Sequence, residues 1–334
     1  MGFCGLKGGA WHWTHNVLFR EPPCSRVSAI GRGAPRTEPM TEHARARLGV
    51  IAAAAIFSTG GAAIKLTTLS GVQVACFRSA IAAAVVLALA PESRRGWTWR
   101  TWVASIAYAT CLTLFVLANK LTTSANTIFL QAAAPLYLLL LGPWLLKERV
   151  KRADLIVLGA MAAGLACVFL GTDPPARTAP DPALGNLLAL LSGVAWAFLV
   201  IGLRWLGRAE AEAGHEAPSP TTAVVLGNVL AALVTLPFAL PVLAFTATDV
   251  ATVLFLGVVQ IGIAYLLLSR ALKQVGALEA SLLLMVEPAL NPLWSWLMHG
   301  ETPGPWSLLG GGMILGATVL KSALDSRPEL PVAT

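Results

Sequence analysis

The residues most able to do chemistry in this chain lie in apolar surroundings. The stretch LLLMVEPALNPLWSWLMHGE, residues 282–301, places a carboxylate, Glu287, near the middle of a run otherwise apolar enough to cross a bilayer. A charge at that depth is costly and needs a cation, a proton or a wet cavity. Pro288 and Pro292 withhold backbone donors and free carbonyls in the turn before them, which is tolerated where protein or water satisfies the freed groups. Asn291 and Ser295 follow at four-residue steps and share the helical face of Glu287. That face reads as polar and cavity-lining, able to hold a cationic group or a proton. The alternative is a buried carboxyl hydrogen-bonded to a neighbouring helix.

Arg78, in VACFRSAIAA, has two readings. It snorkels to the nearby interface, or it faces the cavity, pairing with Glu287 or holding a substrate carboxylate in its planar fork. Gln131, close to Pro135, is the strongest of the other intramembrane polar residues, which include Asn126, Thr127, Asn228, Gln260 and Tyr265. Each of these serves as interhelical glue or as a ligand contact. Trp196 packs in the core or offers a π face to a cationic substrate. Glu148 and Glu301 end their helices and are expected to charge the first turn of the helix that follows; Lys120 and Lys273 are expected to be interfacial anchors.

The elements that must position these residues are membrane helices. The chain is 56% hydrophobic and 12% charged, against about 25% charged in soluble domains. Its mean hydropathy is +0.70. Apolar runs near the ~20 residues that cross a bilayer recur at 48–66, 72–91, 101–119, 124–146, 153–171, 184–206, 221–245, 249–269, 276–298 and 305–324. The net charge of +7 sits in short loops beside these runs, where it sets topology, and not along one stripe that would fit a nucleic acid. Cys76, Cys111 and Cys167 fall inside predicted spans, Cys4 and Cys24 precede them, and no C-x-x-C spacing occurs, so neither a disulfide framework nor a metal site is indicated. No H-E-x-x-H, no G-x-S-G and no phosphate loop occurs, and Asp154, Asp173, Asp181, Asp249 and Asp325 fall at or beyond helix ends. The chain is read as no enzyme, with no cofactor.

Of the basic residues in the loops, only Lys65, Lys120 and Arg177 fall on one side, which puts both termini in the cytoplasm of a cell membrane. The chain is also duplicated. Shifted by 153 positions, Pro288 falls on Pro135, Glu301 on Glu148, Gly312 on Gly159, Lys273 on Lys120 and Ala271 on Ala118; Phe57 precedes Lys65 by the same interval as Trp196 precedes Arg204. Five spans per copy make the copies inverted, and inverted repeats meet at a midplane substrate site. The expected divisions are a disordered tail at 1–44, with Met40 as the biological start, a first repeat at 45–172, an external loop at 173–183, a second repeat at 184–326 and a short tail at 327–334. The segment 207–220 is expected to be the linker between halves. Gly159 and Gly164, with Gly310, Gly311, Gly312 and Gly316, provide small surfaces through which a homodimer could form.

These features resemble the EamA-type family of the drug/metabolite transporter superfamily over about residues 47–324. The resemblance is carried by FSTGGAAIK at Phe57–Lys65, by Arg78, by NTIFLQAAAPLYLLLLGPWLLKE, and by AWAFLVIGLR, EASLLLMVEPALNPLWSWLMHGE and PWSLLGGGMILGA. Phe57 stands where members often have Trp, and Lys147 where they often have Gly. The resemblance implies an all-α membrane protein of ten transmembrane helices in two inverted five-helix repeats, with helices 1–4 and 6–9 around a cavity and 5 and 10 as scaffold. It implies a secondary exporter of a small metabolite, amino acid or drug. A proton is the natural coupling ion if Glu287 holds it; a channel or a non-transporting receptor is the competing reading.

Overall fold

Serine and threonine caps delimit apolar helices along the chain. In the computed structural model the described residues are 42–134, 136–138, 140, 152–171, 174–213, 219–271, 274–275, 280 and 283–325. They all belong to the compact unit Met40–Thr334. Met40, Pro135, Lys147, Glu148, Lys273 and the tail 327–334 lie outside them, as does the side chain of Arg204.

The helices are α1 (Glu42–Leu66), α2 (Gly71–Leu89), α3 (Trp99–Leu121), α4 (beginning as Ser124–Ala132), α5 (Arg152–Leu170), α6 (Pro182–Ala213), α7 (Pro220–Ala239), α8 (Ala247–Ala271), α9 (Val286–His299) and α10 (Pro305–Asp325). Ser70 with Gln73, Thr98 with Thr101 and Thr246 with Asp249 form reciprocal capping boxes that start α2, α3 and α8. Gly300, at φ 65°, ends α9 in the left-handed conformation that glycine adopts without strain. Among the described residues there is no strand, and the only bridge pairs Ala176 with Ala179. Six helices are long and apolar enough to cross a membrane among the described residues: α1, α2, α3, α6 through Leu203, α7 and α8. Phe238, Leu170 and Ile156 stand 77%, 86% and 69% exposed, part of an apolar outer surface that a bilayer would cover.

Several expected boundaries move. Residues 42–44, assigned to the tail, open α1; α6 starts at Pro182 and continues to Ala213, through the first half of the expected linker; α7 stops at Ala239. Regular α9 starts at Val286, so Glu287 lies in its first turn and not mid-helix. Pro288 explains this, because it lacks the N–H that would bond the Leu284 carbonyl, and the chain turns at Met285.

Two other helices are irregular at the same core. In α1 the Ser58 hydroxyl donates to Ala55 O at 2.7 Å and the Thr59 hydroxyl to Ile56 O at 2.7 Å. The ladder resumes with Ala63 N–H to Thr59 O at 3.0 Å. Back-bonding of this kind competes with the helix, and the break falls just before Gly60 and Gly61. In α8 the turns widen to a π-helix over Phe255–Ile263, a distortion frequent at functional sites.

Packing pairs helices from the two ends of the chain: α2 with α7, α5 with α10, α3 with α6, α1 with α8, α4 with α6, and α1 with α9. The α5–α10 contact is close because Gly164 and Gly310 face each other; a Cβ on Gly164 would lie 2.7 Å from Gly310 O, and one on Gly310 would strike Gly164 O. These two glycines, offered by the sequence for a dimer, are spent inside the chain. The Lys321 ammonium meets Asp154 at 2.8 Å and ties the same two helices.

Candidate functional site

The α1 break, the π-turn of α8 and the interrupted start of α9 surround one set of side chains. Phe57 from α1 and Tyr265 from α8 meet edge to face at 5.0 Å, and Tyr108 from α3 lies 5.5 Å from Tyr265. Trp196 from α6 packs partly buried against the same cluster. Phe57 and Trp196, each eight residues before a basic residue, thus share one core. Asn228 of α7 donates to the Tyr108 hydroxyl at 3.0 Å, so α7 fixes the ring.

Arg78 is 1% exposed, which overturns the snorkelling reading. Its Nη2 donates to Leu112 O at 3.0 Å, while its Nε–H has no partner among the described residues. Its charge is felt by Tyr108, Tyr265 and Cys111. Glu287 is felt by Tyr265 and Cys111 as well. The guanidinium and the carboxylate are both within electrostatic reach of Cys111, with no ion pair between them. Among the described residues nothing donates to the Glu287 carboxylate, and the residue keeps partial exposure. Gln131 of α4 completes this level: its Nε2 donates to the Ser192 hydroxyl at 2.8 Å and approaches Cys111 Sγ at 3.4 Å.

Asn291 points elsewhere. It is fully buried, neither atom of its amide has a partner among the described residues, and its Oδ1 lies 2.7 Å from where a Cβ on Gly61 would be. Asn119 Oδ1 and Ser124 Cβ lie 3.0 Å from the same point. A glycine is required at 61 because α3, α4 and α9 all close on it.

Beyond that crossing, α1 ends on an ion pair. Lys65 Nζ lies 2.9 Å from Glu301 Oε2, with both side chains at most 4% exposed. The ammonium also donates to Thr122 O at 2.8 Å and to Thr178 O, and the other Glu301 oxygen accepts the Ser124 N–H. Glu301 therefore charges the first turn of α4, not that of α10 as expected. Lys120, expected as an anchor, donates to Thr67 O and its hydroxyl at 2.7 and 2.9 Å. Asp249, set aside as a helix-end residue, accepts from Thr68 N at 2.7 Å and from the Thr68 and Thr246 hydroxyls at 2.8 and 2.7 Å. On the same face, Asn186 Oδ1 accepts from the Thr122 hydroxyl at 2.7 Å and from Asn126 Nδ2 at 3.2 Å.

Sequence reasoning missed Tyr108, Cys111, Ser192 and Asn119 as members of this interior, and Lys65 and Glu301 as partners. Lone polar residues in an apolar helix were the available signal for Tyr108 and Asn119; none pairs Lys65 with a residue this far along the chain.

A helical bundle with an apolar outside that keeps a carboxylate and a guanidinium inside has the build of a multi-pass membrane protein. Comparison with known proteins places it more closely: residues 45–170 and 183–323 match the EamA-like transporter family. The chain belongs to that family, which is part of the drug/metabolite transporter superfamily, one of transporters and not of enzymes. Over 65 residues it is 43% identical to the "Uncharacterized transporter YdfC" of Bacillus subtilis (strain 168), a match spanning 20% of this chain and 21% of that relative. A solved structure titled "Crystal structure of protein" superposes with a TM-score of 0.56 at 22% identity, over 84% of this chain and 98% of that one. That likeness speaks to the fold.

Proposed function

We propose that the protein is a secondary active transporter that exports a small metabolite, amino acid or drug across the cytoplasmic membrane by alternating access. In this reading ten transmembrane helices form two inverted five-helix repeats, both termini are cytoplasmic, and the Lys65–Glu301 face is external. The packing supports the repeat: exchanging α1–α5 with α6–α10 turns the α3–α6 contact into α8–α1, α4–α6 into α9–α1, and leaves α2–α7 and α5–α10 unchanged.

The observation that carries the reading is Glu287, a carboxylate between the two halves with no donor among the described residues. It waits for a cationic group or a proton, and its charge state would decide whether the unloaded site can reorient. Arg78, Gln131, Trp196 and Tyr265 line the same level, with Asn291 one turn beyond. The buried pair on the external face supports a gated carrier over an open pore. A homodimer would use Gly159, Gly312 and Gly316, whose Cβ positions meet nothing within 4 Å.

The test compares metabolites in medium and cytoplasm of cells expressing residues 40–334 or the Glu287→Gln variant. Export of one solute by the native protein alone is expected, saturable and dependent on the proton gradient. Equal export by both proteins makes Glu287 structural, and no change in any solute in a broad panel of hosts refutes the carrier.

A further inference from the structure

A set of buried polar atoms remains unexplained by the site around Glu287. Among the described residues Asn119 Oδ1, Ser124 Oγ, Ser295 Oγ and both amide atoms of Asn291 have no hydrogen-bond partner, in residues at most 1% exposed. Buried polar atoms without a protein partner are uncommon in folded proteins, because such a group needs water, a ligand or another conformation to pair with. Four such residues from α3, α4 and α9 therefore call for a state in which they are paired. The Asn119 amide is fixed, since its Nδ2 donates to Phe115 O at 3.0 Å, and its Oδ1 faces the side of Gly61 that Asn291 Oδ1 also faces.

The seam has an order. At one end Asn291 lies one helical turn from Glu287. At the other, the residue after the α9 cap is Glu301, held by Lys65. Past that pair lies a cavity of about 180 Å³ whose lining includes Thr122, Asn126, Thr178, Glu301 and Thr302. Carboxylate, polar seam, ion pair and cavity follow one another from the core to the surface.

We propose that the transported solute leaves along this seam, that Asn119, Ser124, Asn291 and Ser295 are its contacts on the way, and that the Lys65–Glu301 pair is the latch that keeps the seam shut. This rests on the carrier reading above. With the latch open, the two amide oxygens and two hydroxyls accept hydrogen bonds from water or from the solute, which repays what they lack when closed. The Asn291 Nδ2 and both hydroxyls can donate as well, so the seam suits a solute whose leading group both donates and accepts, such as a hydroxyl. Lys65 ties Glu301 to Thr122 and Thr178, so releasing one ammonium frees α1 from the α3–α4 turn, the 174–181 loop and the α9–α10 turn together.

The experiment uses the full chain in lipid nanodiscs, where a charged thiol reagent reaches both faces. Ser124→Cys and Ser295→Cys serve as reporters, each in the native background and with Lys65→Gln or Glu301→Gln; Gln at 301 keeps an acceptor for the Ser124 N–H. Native Cys76, 2% exposed and bonded to Ala232 O between α2 and α7, reports general loosening. Labelling of the reporters is expected to rise about tenfold in both variants, one decade in the open population, with Cys76 unchanged. Unchanged reporter labelling overturns the proposal. So does a rise at Cys76 by the same factor, which would make the pair a support of the fold. No transport is measured, so a failure here is separate from a failure of the Glu287→Gln comparison.

Discussion

Two glycines on α10, two residues apart, should respond to alanine with opposite signs. At Gly310 a new Cβ strikes Gly164 O and comes within 2.8 Å of Val168 Cγ2. The first obstacle is backbone, so no side chain can swing aside; α5 and α10 must part. Overpacking of this kind costs ~1–3 kcal/mol, and a backbone obstacle puts it near the top of that range. Alanine recovers about 1 kcal/mol of helix propensity relative to glycine, leaving Gly310→Ala roughly 2 kcal/mol less stable. At Gly312 nothing of the same chain lies within 4 Å, so in the monomer only the propensity gain of about 1 kcal/mol operates. At roughly 2 °C per kcal/mol for a chain of this size, Gly310→Ala should melt about 4 °C lower than the native protein and Gly312→Ala about 2 °C higher. Thermal unfolding in mild detergent, followed by tryptophan fluorescence, reads both. If Gly310→Ala melts at or above Gly312→Ala, the close α5–α10 approach is wrong. Adding Gly164→Ala to Gly310→Ala should cost less than its separate effect, because the helices have already parted.

Other outcomes follow from the interior. Arg78→Lys keeps the charge but removes the planar fork that reaches Leu112 O; saturable export is expected to fall about tenfold with the melting temperature near native, and unchanged kinetics would exclude a role for the fork. Asp249→Asn turns an amide donor toward Thr68 and Thr246, which already donate there. A loss of about 2 kcal/mol is expected, read as a lower melting temperature, and a native melt would show that these bonds contribute nothing net.

Much of the architecture was legible because it is local or periodic. Apolar runs long enough to cross a bilayer lie within short windows. Glu287 stood out for the same reason, since a charge inside an apolar run is conspicuous wherever its neighbours are. What stayed hidden depends on partners far apart in sequence. Lys65 and Glu301 each looked like an ordinary helix-end charge, and only folding brings them to 2.9 Å. Arg78 looked close enough to an interface to snorkel; its guanidinium turns inward instead, onto Leu112 O of α3. The extension of α6 was obscured because its last residues, RAEAEA, are polar. Polarity marks the end of a span, but alanine and glutamate are good helix formers and carry the helix on.

That extension makes α6 an antenna. Its 32 residues span about 48 Å at the helical rise, well beyond a hydrocarbon core of about 30 Å. Arg100, stacked 4.5 Å from the Trp205 ring with Trp99 against the same ring, marks an interfacial girdle. The helix continues past it by about 12 Å as far as Ala213. Because Trp196 sits in the core on the same rod, any tilt of α6 is magnified at Ala213. A spin label or fluorophore between 208 and 213 would read the motion of the interior from outside the bilayer, without touching the site.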